Sequence, residues 1–122
     1  MQSRLPYKRA ERVGDLLREI LSELLMNKIH HLGLEGLTLT SVKISDDLQH
    51  ARVFYRLIDP GRRVEIAKKL PKVAGLLRKE AGHELKLKRT PELRFEYDES
   101  LEYGDKIERL LASIKKRDSE EE

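Results

Sequence analysis

Residues 62–89 carry ten cations, Arg62, Arg63, Lys68, Lys69, Lys72, Arg78, Lys79, Lys86, Lys88 and Arg89, against three carboxylates, Glu65, Glu80 and Glu84. Clustered Lys and Arg at this density are the footprint of a polyanion partner, because each phosphate contact releases condensed counterions. The plainer reading is a solvated face, which an ordinary basic helix usually is. Gly75 sits inside the cluster, where a helical glycine costs about 1 kcal/mol relative to alanine. A residue without a side chain at that point lets the backbone come close to a ligand. The candidate contacts are therefore Gly75, Arg78 and Lys79, then Lys86, Lys88 and Arg89 in the following loop, with Arg9 and Arg12 near the N-terminus. Arg78 and Arg89 suit geometry-sensitive contacts, since the guanidinium fork matches phosphate oxygens in pairs.

Other chemistries find little support. The chain has no Cys, so disulfides, thiolate nucleophiles and Cys-based metal sites are excluded. Neither a Walker-type phosphate loop nor a Ser/His/Asp spacing occurs. His30 and His31 are adjacent, which on a helix points them about 100° apart, and no third ligand is placed by sequence. Asp46-Asp47 reads as turn chemistry and His83-Glu84 as helix surface. The expectation is a non-enzymatic protein with no catalytic residue, metal or cofactor.

The elements that must position the cations follow from periodicity. Val13, Leu16, Leu17, Ile20, Leu21, Leu24, Leu25 and Ile29 recur at helical spacing, predicting an amphipathic helix over residues 10–31. Leu37–Ile44 and His50–Ile58 alternate and read as two strands joined by a polar turn, hence an antiparallel hairpin. Ala51, Val53, Tyr55 and Leu57 should face the core, with Arg52, Phe54 and Arg56 opposite. Asp59-Pro60-Gly61 ends the hairpin. Residues 62–72 and 73–84 read as two helices, with Pro71 ending the first or bending the axis. Thr90-Pro91 forces extended backbone before a third strand, residues 93–97. Ser100 is placed to cap a last amphipathic segment, interrupted by Gly104, and Lys115–Glu122 is expected to be disordered.

At 122 residues this describes one domain with tails: a basic arm over 1–9, an RNA-binding domain over 10–100, and a charged extension over 101–122, partly helical or disordered. No apolar run approaches the roughly 20 residues of a membrane span. Helix, two strands, two helices and a strand imply an α+β fold, a type II KH-like domain with a three-stranded sheet and helices packed on one face. KH modules clamp backbone nucleotides at a Gly-containing turn between two helices.

Over Arg9 to Leu111 the sequence resembles the bacterial ribosome-binding factor A family. The resemblance rests on Arg12-Val13 before the leucine helix, on Val42-Lys43-Ile44-Ser45-Asp46-Asp47-Leu48-Gln49-His50-Ala51-Arg52-Val53, on Gly75-Leu76-Leu77-Arg78, and on residues 87–100, from Leu-Lys-Arg-Thr-Pro-Glu-Leu to Tyr-Asp-Glu-Ser. In that family an Ala-X-Gly kink replaces the KH turn; here the triplet is Val73-Ala74-Gly75, with valine in the alanine's place. The resemblance implies a cytoplasmic assembly factor that binds the free small ribosomal subunit and its rRNA. It also implies a role in late maturation, including processing of the rRNA 5′ end, and in adaptation to cold. The partner is then the small subunit, with no membrane and a monomeric chain. Two alternatives stand beside it: a general KH-like single-stranded RNA binder, or a protein-interaction module docking through the acidic C-terminal segment, where residues 92–122 hold eleven acids against six bases.

Overall fold

The computed structural model describes residues 9–28 and 32–121. The arm before Arg9 and the His30-His31 pair lie outside them. Helix α1 spans Arg9–Glu23 and passes into a π-helical turn, Leu24–Lys28. Strands β1 (Leu37–Ile44) and β2 (His50–Leu57) follow, then a 3-10 turn at Pro60–Arg62, helix α2 (Arg63–Leu85), strand β3 (Glu92–Tyr97) and helix α3 (Ser100–Glu121).

The sheet runs β1-β2-β3, with β1 antiparallel and β3 parallel to β2. Alternation in β2 holds as expected: Ala51, Val53, Tyr55 and Leu57 are buried while Arg52 and Arg56 face water. Those residues, with Leu39 and Leu93, form the floor on which α1 and α2 pack through Leu17, Ile20, Leu21, Leu24, Ile66, Leu70, Leu77, Ala81 and Leu85. This is the two-layer α+β arrangement that the pattern implied. Helix α1 comes so close to β1 that a Cβ on Gly14 would lie 2.8 Å from the Val42 carbonyl oxygen.

Two expectations need correction. The separate helices over 62–72 and 73–84 are one helix of 23 residues, with Pro71 inside it. Pro71 deprives the Ala67 carbonyl of its helical donor, but flanking turns on both sides bury Ile66, Leu70, Leu77 and Ala81 against the sheet. That packing outweighs a single missing hydrogen bond. The Val73-Ala74-Gly75 triplet is thus helical backbone and not a turn between helices. Likewise α3 runs through Gly104 and past Lys115 to Glu121, so helix replaces the interruption and the disordered tail.

Helix α3 begins at a hydrogen-bonded hub. Asp98 accepts from the Ser100 backbone N–H at 2.9 Å and from the Thr40 hydroxyl at 2.6 Å, while its own N–H donates to Tyr55 O at 2.7 Å. The N–H of Ser100 is therefore met by Asp98, in the manner of an N-terminal cap. Beyond the hub, residues 105–117 are exposed throughout, and among the described residues no element covers Ile107, Leu110, Leu111 and Ile114.

Candidate nucleic-acid interface

Continuity of α2 determines where its cations go. Ile66, Leu70, Leu77, Ala81 and Leu85 bind one side of the helix to the core. Positions 68, 72, 75, 79, 82 and 86 recur every three or four residues on the opposite side. Lys68, Lys72, Gly75, Lys79 and Lys86 are all exposed, and at 1.5 Å per residue the stripe is about 27 Å long. Glu80 and Glu84 fall off the stripe. Glu65, at its start, is paired with Arg62 at 3.1 Å and Lys69 at 2.9 Å. The Arg62 hydrogen bond, followed by that from Lys69, holds the Glu65 carboxyl down at about 2.

Gly75 lies at the middle of this stripe, and a Cβ added there would meet nothing within 4 Å. Its glycine is therefore not required by packing against the sheet. Gly82 differs: a Cβ there would stand 2.5 Å from Thr90 Oγ1. The loop after α2 lies against the helix at that point.

That loop carries the stripe into a groove. Lys86 takes a left-handed conformation (φ 52°) and turns the chain at the helix C-terminus. Pro91 is fully buried, and the Glu92 N–H donates to Gln49 O at 2.8 Å, fastening the loop to the β1–β2 turn. Arg9, Lys88 and Arg89 thereby come together around an open groove of about 570 Å³, bordered also by Asp47, Leu48 and Gln49. Sequence spacing gave no hint that Arg9 would meet residues almost eighty positions away. Among the described residues Asp47 is the one acid in the groove's lining, and it is engaged: it accepts from Ser45 Oγ at 2.6 Å and the Gln49 N–H at 3.0 Å. Those bonds, Ser45 first, lower its carboxyl below the ordinary range.

The remaining candidates separate. Arg12 is exposed one turn beyond Arg9 on α1. Lys79 is exposed on the α2 stripe. Arg78 is half-buried and donates twice to the Thr90 carbonyl, from Nε at 3.2 Å and Nη2 at 2.9 Å. Its guanidinium positions the loop, so a fork held free for phosphate is not what the structure shows. Lys68 and Lys72 join the surface although they were not among the sequence candidates; only the helix running unbroken through Pro71 brings them into line with Lys79. A smaller groove of about 260 Å³ separates α2 from β3, between Pro71 and Ala74 on one side and Leu93, Arg94 and Phe95 on the other.

The arrangement offers fixed cations and an accessible helical backbone. Among the described residues, no group of three or more His, Asp or Glu side chains could hold a metal ion, and no helix is long and apolar enough to cross a membrane.

Comparison with known proteins identifies the family and the fold. A family profile described as Ribosome-binding factor A matches residues 9–111. Ribosome-binding factor A of Syntrophobacter fumaroxidans is 42% identical over 117 residues, covering 93% of this chain and all of the relative. The crystal structure of ribosome-binding factor A from Thermus thermophilus superposes with a TM-score of 0.61 at 20% identity, covering 75% of this chain and 97% of that one. A Thermus thermophilus ribosome binding factor A homology model, fitted into the cryo-EM map of a 30S complex, gives a TM-score of 0.58 at 20% identity, covering 75% of this chain and 97% of that one. The fold is the KH-like one of these structures, and the chain belongs to the ribosome-binding factor A family.

Proposed function

We propose that this protein is a non-enzymatic assembly factor that binds the free small ribosomal subunit through its rRNA and assists late maturation, including processing of the rRNA 5′ end. The observation that carries the reading is the lysine stripe of α2, Lys68, Lys72, Lys79 and Lys86, flanking exposed Gly75 and leading into the Arg9–Lys88–Arg89 groove. A stripe about 27 Å long matches a run of successive backbone phosphates better than a single anionic ligand. The fitting of a Thermus thermophilus relative into a 30S complex supports the choice of small subunit over other RNAs.

In this reading the phosphates lie along the stripe and supply most of the affinity. Helical backbone at Val73, Ala74 and Gly75 comes closest to the RNA, because no side chain stands in front of Gly75. Arg9, Arg12, Lys68, Lys72, Lys79, Lys86, Lys88 and Arg89 make the contacts, and Arg78 holds their loop in place. The factor acts as a monomer in the cytoplasm and contributes to growth in the cold. Sucrose-gradient sedimentation of lysate tests the assignment: the protein travels with free small subunits. Its appearance only with assembled ribosomes, or only at the top of the gradient, overturns it.

A second reading has one observation in its favour. The uncovered Ile107, Leu110, Leu111 and Ile114 of α3 suit a protein partner better than an RNA. Pull-down from nuclease-treated lysate separates the two readings, since a partner retained after complete RNA digestion belongs to the interaction-module account.

A further inference from the structure

The face of the sheet turned away from α1 and α2 carries an arrangement that the fold alone does not explain. The register places Lys43 opposite Arg52, and Arg52 opposite Arg94, so three cations form one row across all three strands. Val42 and Ile44 pack towards the core on either side of Lys43, which turns Lys43 outward, and Lys43, Arg52 and Arg94 are all exposed. Like charges directly opposite each other on a sheet are destabilising. Arg52 makes a bidentate pair with Glu96, at 2.7 and 2.9 Å, and lies 5.0 Å over the Phe54 ring. Neither Lys43 nor Arg94 forms an ion pair among the described residues. Two outward positions along β2, past Phe54, Arg56 adds a fourth cation opposite Thr38. This face thus presents four cations against three carboxylates, Glu92, Glu96 and, beside Arg56, Asp98, with Phe54 among them.

We propose that this open sheet face is a second RNA-binding surface, so that the domain holds two RNA segments at once, one on each side of its two layers. The row's spacing argues for a phosphate backbone. Adjacent strands lie about 4.8 Å apart, so Lys43 and Arg94, two strands apart, are separated by roughly 10 Å, within the reach of phosphates one or two nucleotides apart. The partly exposed Phe54 ring offers a base a stacking surface beside them. The α2 stripe looks the opposite way through the core, so no single short strand reaches both surfaces. The inference shares with the proposed function only RNA as the ligand.

Stoichiometry with a short probe separates the two surfaces. Calorimetric titration with a single-stranded RNA 12-mer uses four full-length proteins: unaltered, K43Q/R56Q, K72Q/K79Q, and all four changes together. Arg94 is left alone because it also borders the α2–β3 groove. The expected result is two RNA equivalents for the unaltered protein, one for each double variant and none for the quadruple. Thermal unfolding of K43Q/R56Q close to the unaltered midpoint shows that lost binding is not lost folding: removing Lys43 relieves a like-charge row, while removing Arg56 gives up its attraction to Asp98. A single equivalent that survives K43Q/R56Q overturns the second surface and leaves the α2 reading intact. A single equivalent that survives K72Q/K79Q and disappears in K43Q/R56Q does the reverse. If an acidic protein is the true occupant of the sheet face, K43Q/R56Q leaves every RNA titration unchanged, which also overturns the proposal.

Discussion

The Arg78 guanidinium reaches across twelve residues of chain to grip the Thr90 carbonyl with two hydrogen bonds, at 2.9 and 3.2 Å. This link ties the loop bearing Lys88 and Arg89 to the outer part of α2, and Gly82 allows the close approach because a Cβ there would strike Thr90 Oγ1. Replacing Arg78 by Ala should therefore lower stability by roughly 1.5–3 kcal/mol, the range for hydrogen bonds to charged groups. It should also speed amide exchange through Lys86–Arg89. Arg78→Lys should restore little of either, because a lysine ammonium cannot reproduce the paired donation. Urea unfolding and hydrogen exchange of the three proteins check this, and unaltered exchange in the loop would refute the positioning role.

Glycines in the two packed helices should respond differently to substitution. Gly75→Ala meets open space in helical backbone and should raise stability by about 0.5–1 kcal/mol. Gly14→Ala drives a methyl into the Val42 carbonyl and should lower it by roughly 1–3 kcal/mol. Gly75→Val places a branched side chain where RNA is proposed to approach, so it should weaken RNA binding while the domain stays folded. Thermal midpoints alongside RNA affinities distinguish a packing glycine from a contact glycine. Unchanged affinity in Gly75→Val removes Gly75 from the interface.

Acid should release α3 before it unfolds the sheet. The hydrogen bonds from Ser100 and then Thr40 lower the Asp98 carboxyl below its ordinary 3.8. A carboxyl depressed in the folded state adds stability that is complete above its unfolded value and is lost as pH falls through the folded one. The Asp98 contribution is thus full at neutral pH and fades only below about pH 4. Glu65, held at about 2 chiefly by Arg62, behaves in the same sense, losing its contribution between about 4.5 and 2. Asp98→Asn should abolish the acid sensitivity of amide protection at the start of α3. Carboxyl NMR titration of the unaltered protein should give Asp98 a midpoint below 3.8; a midpoint at or above that value contradicts the hub.

Much of this architecture was legible in the sequence because burial repeats with the period of each element. The alternation of Ala51, Val53, Tyr55 and Leu57 predicts β2, and the leucine stripe predicts α1. Local rules misjudged α2 for a physical reason: Pro71 and Gly75 each disfavour helix, but their penalties are smaller than the burial of Leu70, Leu77 and Ala81 on either side. The same error hid the surface, since only an unbroken helix aligns Lys68 and Lys72 with Lys79. Arg78 and Arg89 carry the same composition-level signal; the two hydrogen bonds from Arg78 to the Thr90 carbonyl, a tertiary contact, are what distinguish them in the structure. The Lys43–Arg52–Arg94 row was invisible for a related reason. Strand pattern shows which way a side chain points, but cross-strand register is a tertiary property.

The α2 stripe and its loop are tested most directly by the salt dependence of affinity for free small subunits. The triple variant K86Q/K88Q/R89Q is compared with the unaltered protein across a range of salt concentrations. Each lost contact to a single-stranded phosphate should reduce the slope of log affinity against log salt by roughly 0.7, so three lost contacts should reduce it by about 2. A weaker affinity with that shallower slope is the predicted result. An affinity and slope indistinguishable from those of the unaltered protein would contradict the account.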